Sequence, residues 1–86
     1  MKLSIELTLT PLKNDFIPPI KLFIKQLRGL GFDIIENPLS TQIYGDYDEL
    51  MPYLTNEIKA SLAQQKNAVL NLKIVTSDRS TYEPNF

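Results

Sequence analysis

The chain has 86 residues, of which 43% are apolar and 22% are charged, and its formal net charge is −1. These values describe one small globular domain with a modest core, and they argue against the basic surface of a nucleic acid-binding protein. The absence of cysteine and histidine excludes disulfides, thiol nucleophiles and the commonest zinc ligands.

The composition also bears on location and domain organisation. No signal-peptide pattern opens the sequence, and no apolar run approaches the ~20 residues of a membrane-spanning helix. We therefore expect a cytoplasmic protein without a membrane partner. One domain is expected over residues 1–77, followed by a polar tail over residues 78–86 in which Tyr82 and Phe86 are the apolar residues.

The clearest periodicity lies at residues 3–10, where apolar and polar residues alternate without exception. A period of two is typical of a strand with one buried and one polar face. Pro11 should end this strand, and residues 13–15 should form a turn. The sequence therefore begins with an amphipathic strand.

A helix is predicted next. The residue before a proline avoids the helical region, so Ile17 and Pro18 are expected to be extended and Pro19 to begin the helix. Gly31 is the expected C-cap. The buried stripe recurs at helical spacing and comprises Ile20, Phe23, Ile24, Leu27 and Leu30.

Two short strands follow. Residues 32–36 predict a second strand, with less regular alternation than the first. A turn at Pro38 leads into a third strand over residues 41–44, which Gly45 is expected to end.

The second half of the chain predicts a helix and a last strand. Asp46 or Asp48 can cap the helix, with Glu49 in capping-box spacing from Asp46. The helix should run to about Lys66, where Asn67 can take a left-handed cap, and its apolar stripe comprises Leu50, Leu54, Ile58 and Leu62. Residues 70–75 alternate again and predict a fourth strand.

This order of elements is the βαββαβ pattern of a ferredoxin-like α+β domain, with a four-stranded antiparallel sheet and two helices on one face. Right-handed crossovers place the first strand between the third and the fourth. The other sheet face is left uncovered. By parity it carries Glu6, Thr8, Gln42, Tyr44, Asn71 and Lys73, with Ile35 and Val75 as apolar neighbours.

Two interpretations of this face are open. It can simply be solvated, with Glu6 and Lys73 as a weak cross-strand ion pair. Alternatively, its carboxylate, amides, hydroxyl, ammonium and aromatic ring can hold a flat, nitrogen-rich heterocycle. An open sheet is shallow, so a second subunit laid over it would be needed to close such a site.

The sequence also resembles the family of small thiamine-binding proteins. The resemblance spans nearly the whole chain and rests on residues 5–12, 31–32, 38–50 and 71–74. Its most specific part is the run Pro-x-x-Thr-x-x-x-Gly-Asp, which begins at Pro38 and ends at Asp46. The specificity comes from the combination of segments, because none of them is a catalytic signature.

The resemblance implies a ferredoxin-like domain that forms homodimers or homotetramers and binds thiamine, or its hydroxymethylpyrimidine half, without transforming it. Some members have no established ligand. The family pattern falls on Glu6, Thr41, Asn71 and Lys73. Thr41 should point toward the core by alternation with Ile43, so it is expected at the mouth of the strand or simply as its first residue.

Other features of the resemblance concern the rim of the site. Ser40 stands where the family varies and is a candidate ligand contact. The turn after the first strand lacks the glycine common among relatives, and the spacing between Ile74 and Arg79 is longer than in many of them. Both departures leave the role of Arg79 open.

The sequence thus favours a non-enzymatic binder with no metal and no cofactor. Its expected ligand-binding residues are Glu6, Thr8, Ser40, Thr41, Tyr44, Asn71 and Lys73. The alternative is a structural or regulatory module whose sheet face assembles subunits and has no thiamine ligand. An acylphosphatase-type enzyme fits poorly because Lys13 is the only cation in the first loop, and an RNA-binding sheet fits poorly because Tyr44 is its only central aromatic residue.

Overall fold

The computed structural model describes residues 1–86 and has the predicted order of elements. The elements are β1 (Lys2–Pro11), α1 (Ile17–Arg28), β2 (Asp33–Glu36), β3 (Thr41–Asp46), α2 (Tyr47–Ala63) and β4 (Ala68–Val75). The strands form one antiparallel sheet in the order β2-β3-β1-β4. The ferredoxin-like α+β fold is therefore confirmed, with β1 between β3 and β4.

The core lies between one face of the sheet and the two helices. The strict alternation of β1 places four of its apolar side chains on this face, and each helix contributes two more from its apolar stripe. The buried apolar residues are Leu3, Ile5, Leu7, Leu9, Phe23, Leu27, Ile43, Leu50 and Leu54. The opposite face carries no helix, and we call it the open face.

Neither of the two helices has the length and apolarity that a membrane-spanning helix needs.

The predicted limits of α1 are wrong at both ends. The helix begins at Ile17, with Pro18 and Pro19 in its first turn, because the first N–H groups of a helix have no internal partner and a proline there loses nothing. The helix ends at Arg28. Gly31 adopts φ +83° three residues later, but the C-cap residue is Gly29.

The junction between β3 and α2 also differs from the prediction. Gly45 does not end the strand but pairs with Leu3 inside it. A Cβ atom at Gly45 would lie 3.0 Å from Phe32 Cδ1 and 3.3 Å from Leu50 Cβ. Because Gly45 has no side chain, Phe32 and Leu50 can pack closely against the strand. This packing explains why a glycine occurs inside β3 without ending it.

The ends of α2 agree with the prediction only in the position of the N-cap. Asp46 is the N-cap residue but makes no side-chain capping bond. Its carboxylate instead lies 3.0 Å from the Met1 ammonium, which lowers the pKa of Asp46. The helix ends at Ala63 rather than near Lys66, and Asn67 is not left-handed, since no residue except glycine has a positive φ.

We predict that alanine has different effects at two glycines that lie close together after α1. Gly31→Ala should lower the free energy of unfolding by about 1 kcal/mol, because φ +83° is strained for an L-residue. Gly29→Ala should be neutral or stabilising, since Gly29 has φ −69° and the nearest atom to an added Cβ is 3.4 Å away. Urea unfolding of both variants tests this; equal effects would contradict it.

An ion pair ties the end of α1 to β2. Arg28 Nε and Nη2 donate to the Glu36 carboxylate at 2.5 and 2.6 Å, and this hydrogen bonding lowers the pKa of Glu36. A lowered pKa adds stability above the ordinary value of about 4.3, and this stability is lost as the pH falls through the folded value.

Glu36→Gln should therefore flatten the acid dependence of stability. The melting temperature of the wild type should fall more steeply than that of the variant once the pH drops below about 4.3. Thermal unfolding over an acid pH series measures both slopes. Parallel curves would mean that the ion pair does not contribute.

Candidate functional site

The strand register aligns polar residues in rows across the open face. The central row crosses all four strands and consists of Ile35, Gln42, Glu6 and Lys73. A second row, toward the end of β4, consists of Asp33, Tyr44, Ser4 and Val75. The third row lies on β1 and β4 and consists of Thr8 and Asn71. The predicted parity of the face is thus observed.

Glu6 is the centre of a side-chain network on this face. The Ser40 hydroxyl donates to Glu6 Oε2 at 3.0 Å and accepts from Gln42 Nε2 at 2.7 Å. Lys73 Nζ lies 3.9 Å from Glu6 Oε1. The Glu6 side chain is 43% exposed, so its carboxylate is both held in place and accessible to a ligand.

The loop before β3 positions Ser40. Asn37 Oδ1 accepts from the backbone N–H groups of Leu39 and Ser40, both at 3.0 Å, and Asn37 N donates to Ser40 O at 3.1 Å. This is the turn that an asparagine before a proline favours. The turn brings the Ser40 hydroxyl over the strands toward Glu6, although Ser40 itself precedes β3.

Tyr44 lies at the end of the face nearest the C-terminal tail. Burial raises the pKa of the Tyr44 phenol, and the negative charges of Asp78 and Glu6 add to the rise. The phenol is therefore protonated at neutral pH and can donate a hydrogen bond.

The tail is fixed to this end of the face through Ser4. The Ser4 hydroxyl donates to Ser77 O at 2.7 Å and accepts from Arg79 N at 2.8 Å. The Arg79 guanidinium lies 5.7 Å from the centre of the Tyr82 ring. Arg79 therefore lines one end of the open face, although it belongs to the predicted polar tail.

The open face has two shallow recesses that meet at Glu6 and Lys73. One has a volume of about 170 Å³ and is lined by Ser4, Ile5, Glu6, Gln42, Tyr44, Lys73, Val75 and Arg79. The other has a volume of about 260 Å³ and is lined by Glu6, Thr8, Asn71, Leu72 and Lys73. Each is smaller than the roughly 300–1,000 Å³ of typical ligand pockets.

Thr41 lies on the opposite side of the sheet from Glu6 and Lys73. It faces the helices, as alternation with Ile43 predicts, and is 5% exposed. Together with Thr8, Ser40, Phe23 and Pro38 it lines a cavity of about 150 Å³ between α1 and the sheet.

The structure thus divides the predicted site residues of the open face into a connected group and its neighbours. It joins Glu6, Ser40 and Lys73 directly and places Thr8, Tyr44 and Asn71 around them. Gln42 was predicted on this face but not as a site residue, and its hydrogen bond to Ser40 now adds it. The contact of Ser4 with Ser77 and Arg79 had no signal in the sequence, because these residues lie at opposite ends of the chain.

No group of three or more acidic side chains is placed to hold a metal ion.

No protein-family model matches the sequence, and no functionally curated protein matches it. Solved structures do match. A Streptococcus pneumoniae protein is 28% identical with a TM-score of 0.82, and the match covers 94% of this chain and 92% of that one. A Thermotoga maritima protein with the provisional designation of thiamine biosynthesis/salvage protein is 20% identical, with a TM-score of 0.79 and coverage of 90% and 85%.

A third similar structure is a Bacillus cereus domain of unknown function, DUF77, at 15% identity, a TM-score of 0.70 and coverage of 99% and 79%. These likenesses span nearly all of the chain. They support the relation that the sequence motifs suggested, but only at the level of the fold.

Proposed function

We propose that the protein binds thiamine, or its hydroxymethylpyrimidine moiety, on the open face without transforming it. The observation that carries the proposal is the Glu6 network, in which an accessible carboxylate is held by Ser40 and lies near Lys73. The designation of the similar Thermotoga maritima structure supports the choice of ligand.

The groups of the face match the chemistry of an aminopyrimidine. The Glu6 carboxylate can accept from the exocyclic amino group or offset the charge of the thiazolium ring. Thr8 and Ser40 supply hydroxyls at the ring edge, while Tyr44 supplies an aromatic surface. Asn71 and Lys73 complete the set, with Lys73 directed at a hydroxyl or phosphate.

Closure of the site requires a second subunit in this proposal. Each recess is smaller than a typical ligand pocket, and the two recesses are open to solvent. Ile35 and Val75 are 43% and 40% exposed at the borders of the same face. A second copy laid over the face would bury these residues and enclose the ligand, giving a homodimer or a homotetramer.

We propose binding rather than catalysis because the carboxylate at the centre of the face, that of Glu6, is already hydrogen-bonded to Ser40 and lies near Lys73. The chain has no cysteine or histidine to serve as a nucleophile or a neutral-pH base. A binder needs only complementary groups in fixed positions, and this network supplies them.

Thermal unfolding with and without added ligand tests the proposed function. Thiamine and hydroxymethylpyrimidine should each raise the midpoint, since a ligand at a hundredfold excess over its dissociation constant adds ~2.7 kcal/mol of stability. The isolated hydroxyethylthiazole half serves as the control and should have a much smaller effect. Unchanged midpoints with both pyrimidine ligands would refute thiamine binding.

The exposed apolar residues Ile35 and Val75 on this polar face also favour a second candidate function, that of an assembly module without a thiamine ligand. In that case Tyr44→Lys should dissociate a stable oligomer whose mass is unaffected by thiamine. Light scattering after size exclusion measures the mass. An oligomer that tightens when thiamine is added would instead favour the binding function.

A further inference from the structure

Arg79 is an arginine that no carboxylate of the chain neutralises. The chain has two arginines, and Arg28 is paired with Glu36, whereas Arg79 belongs to none of the three ion pairs of the structure. The carboxylate of its neighbour Asp78 is engaged elsewhere, because Asp78 Oδ1 accepts from Ser80 N at 2.9 Å and from Ser80 Oγ at 2.6 Å. The Arg79 guanidinium therefore keeps its charge available for an anion.

The position of Arg79 is fixed at its backbone and at its side chain. Arg79 N donates to the Ser4 hydroxyl at 2.8 Å, and Ser4 is buried within β1. Tyr82 N donates to Arg79 O at 3.1 Å, and the Tyr82 ring centre lies 5.7 Å from the Arg79 guanidinium carbon. An arginine that packs on an aromatic ring retains its planar set of N–H donors. These contacts hold Arg79 at one end of the open face.

Other donors share the recess that Arg79 lines. The charged residues of this recess are Glu6, Lys73 and Arg79, so two positive charges face one negative charge. Burial raises the pKa of the Tyr44 phenol, which therefore stays protonated and can donate a hydrogen bond. Lys73 Nζ lies 3.9 Å from Glu6 Oε1 and the Lys73 side chain is 71% exposed. Such a pair is weak, so Lys73 can turn toward an anion.

The charges of the open face are separated along the strands. Glu6 lies in the central row, whereas Arg79 is bound to Ser4 in the next row, and residues two apart on a strand are about 7 Å apart. The two recesses meet at Glu6 and Lys73, so one ligand can occupy both. This arrangement complements a small molecule with an amino group or a positive ring at one end and an anionic group at the other.

We propose that Arg79 and Lys73 form a phosphate subsite, so that the protein binds the phosphate monoester of its pyrimidine ligand more tightly than the free alcohol. A guanidinium matches phosphate in geometry, since two of its N–H groups can donate to two phosphate oxygens at once. The Tyr44 phenol can donate a further hydrogen bond. This inference rests on the proposed function for the pyrimidine end of the ligand, while Arg79 and Lys73 carry it for the phosphate end.

Isothermal titration with hydroxymethylpyrimidine, thiamine and the phosphate monoester of each tests the subsite. The wild type should bind each ester about tenfold or more tightly than the matching alcohol. In Arg79→Gln this ratio should fall close to one. The backbone N–H of residue 79 still donates to Ser4 in this variant, so the tail should stay in place.

Lys59→Gln is the control for net charge, because it removes a positive charge from an exposed position on α2 and should keep the ratio of the wild type. Three results would overturn the proposal. They are a wild type that binds ester and alcohol equally, a ratio that survives Arg79→Gln, and an equal loss of the ratio in both variants.

Inorganic phosphate separates this subsite from the proposed function, because it contains no pyrimidine. In ¹H–¹⁵N spectra, added phosphate should shift the Arg79 Nε–H resonance and leave that of Arg28, which already donates to Glu36, in place. This shift in a protein that binds neither pyrimidine ligand would refute the proposed function and keep the phosphate subsite. Equal shifts of the two arginines, or none, in a protein that binds the pyrimidine ligands would refute the subsite and keep the proposed function.

Discussion

Leu27→Ala should lower the free energy of unfolding by about 2–5 kcal/mol, because it removes a large side chain from the centre of the core and leaves a cavity. Leu27 is 0% exposed and belongs to the cluster between α1 and the sheet. A domain of this size has a stability of only about 5–15 kcal/mol, so one such cavity removes a large share of it. Urea unfolding followed by circular dichroism measures the loss.

Leu22→Ala is the matched control on the same helix. Leu22 carries the same side chain but is 43% exposed, so its truncation should change stability by less than about 1 kcal/mol. The helix propensity of the two variants is altered equally, which leaves burial as the difference between them. Comparable losses at both positions would contradict the placement of the core against α1.

The sequence predicted the fold well where a single period extends through a whole element. The alternation at residues 3–10 identified β1, its buried face and its polar face. Once β1 and two helical stripes were known, the handedness of crossovers was sufficient to order the strands. The sheet face that carries Glu6 follows from the same alternation, which is why most of the predicted site residues lie together.

The predictions failed at glycine and proline, because each of these residue types can serve more than one structural role. Gly45 was expected to end a strand, but it lies within β3 because a side chain there would crowd Phe32 and Leu50. Pro18 was expected to be extended and Pro19 to begin α1, but both fit the first turn of a helix that begins at Ile17. A local pattern does not reveal which use applies, since the deciding contact comes from another part of the chain.

The details of the site depend on contacts that no local pattern encodes. Ser40 reaches Glu6 because the Asn37 turn orients it, and Gln42 joins the network through that same hydroxyl. Ser4 fixes the tail beside Tyr44 through residues more than 70 positions away. Periodicity therefore predicts which residues share a face, while the loops and the tail determine which of them interact.

Glu6→Gln should weaken the binding of thiamine and hydroxymethylpyrimidine by about tenfold to a hundredfold. A hydrogen bond to a charged partner contributes roughly 1.5–3 kcal/mol, and 1.4 kcal/mol corresponds to tenfold in affinity. Glutamine keeps the size of the side chain and can still accept from Ser40, so the network around it should persist. The ion pair with Lys73 is 3.9 Å long and its side chains are 71% and 43% exposed, so stability should change little.

Isothermal titration separates this specific role of Glu6 from a general effect of charge. Glu49→Gln removes the same charge from an exposed position in the first turn of α2 and should leave the affinity unchanged. If Glu6→Gln binds both ligands as tightly as the wild type, Glu6 does not contact the pyrimidine and the proposed site is wrong. If both variants weaken binding equally, the net charge of the protein attracts the ligand, because a contact at Glu6 would leave the Glu49 variant unaffected.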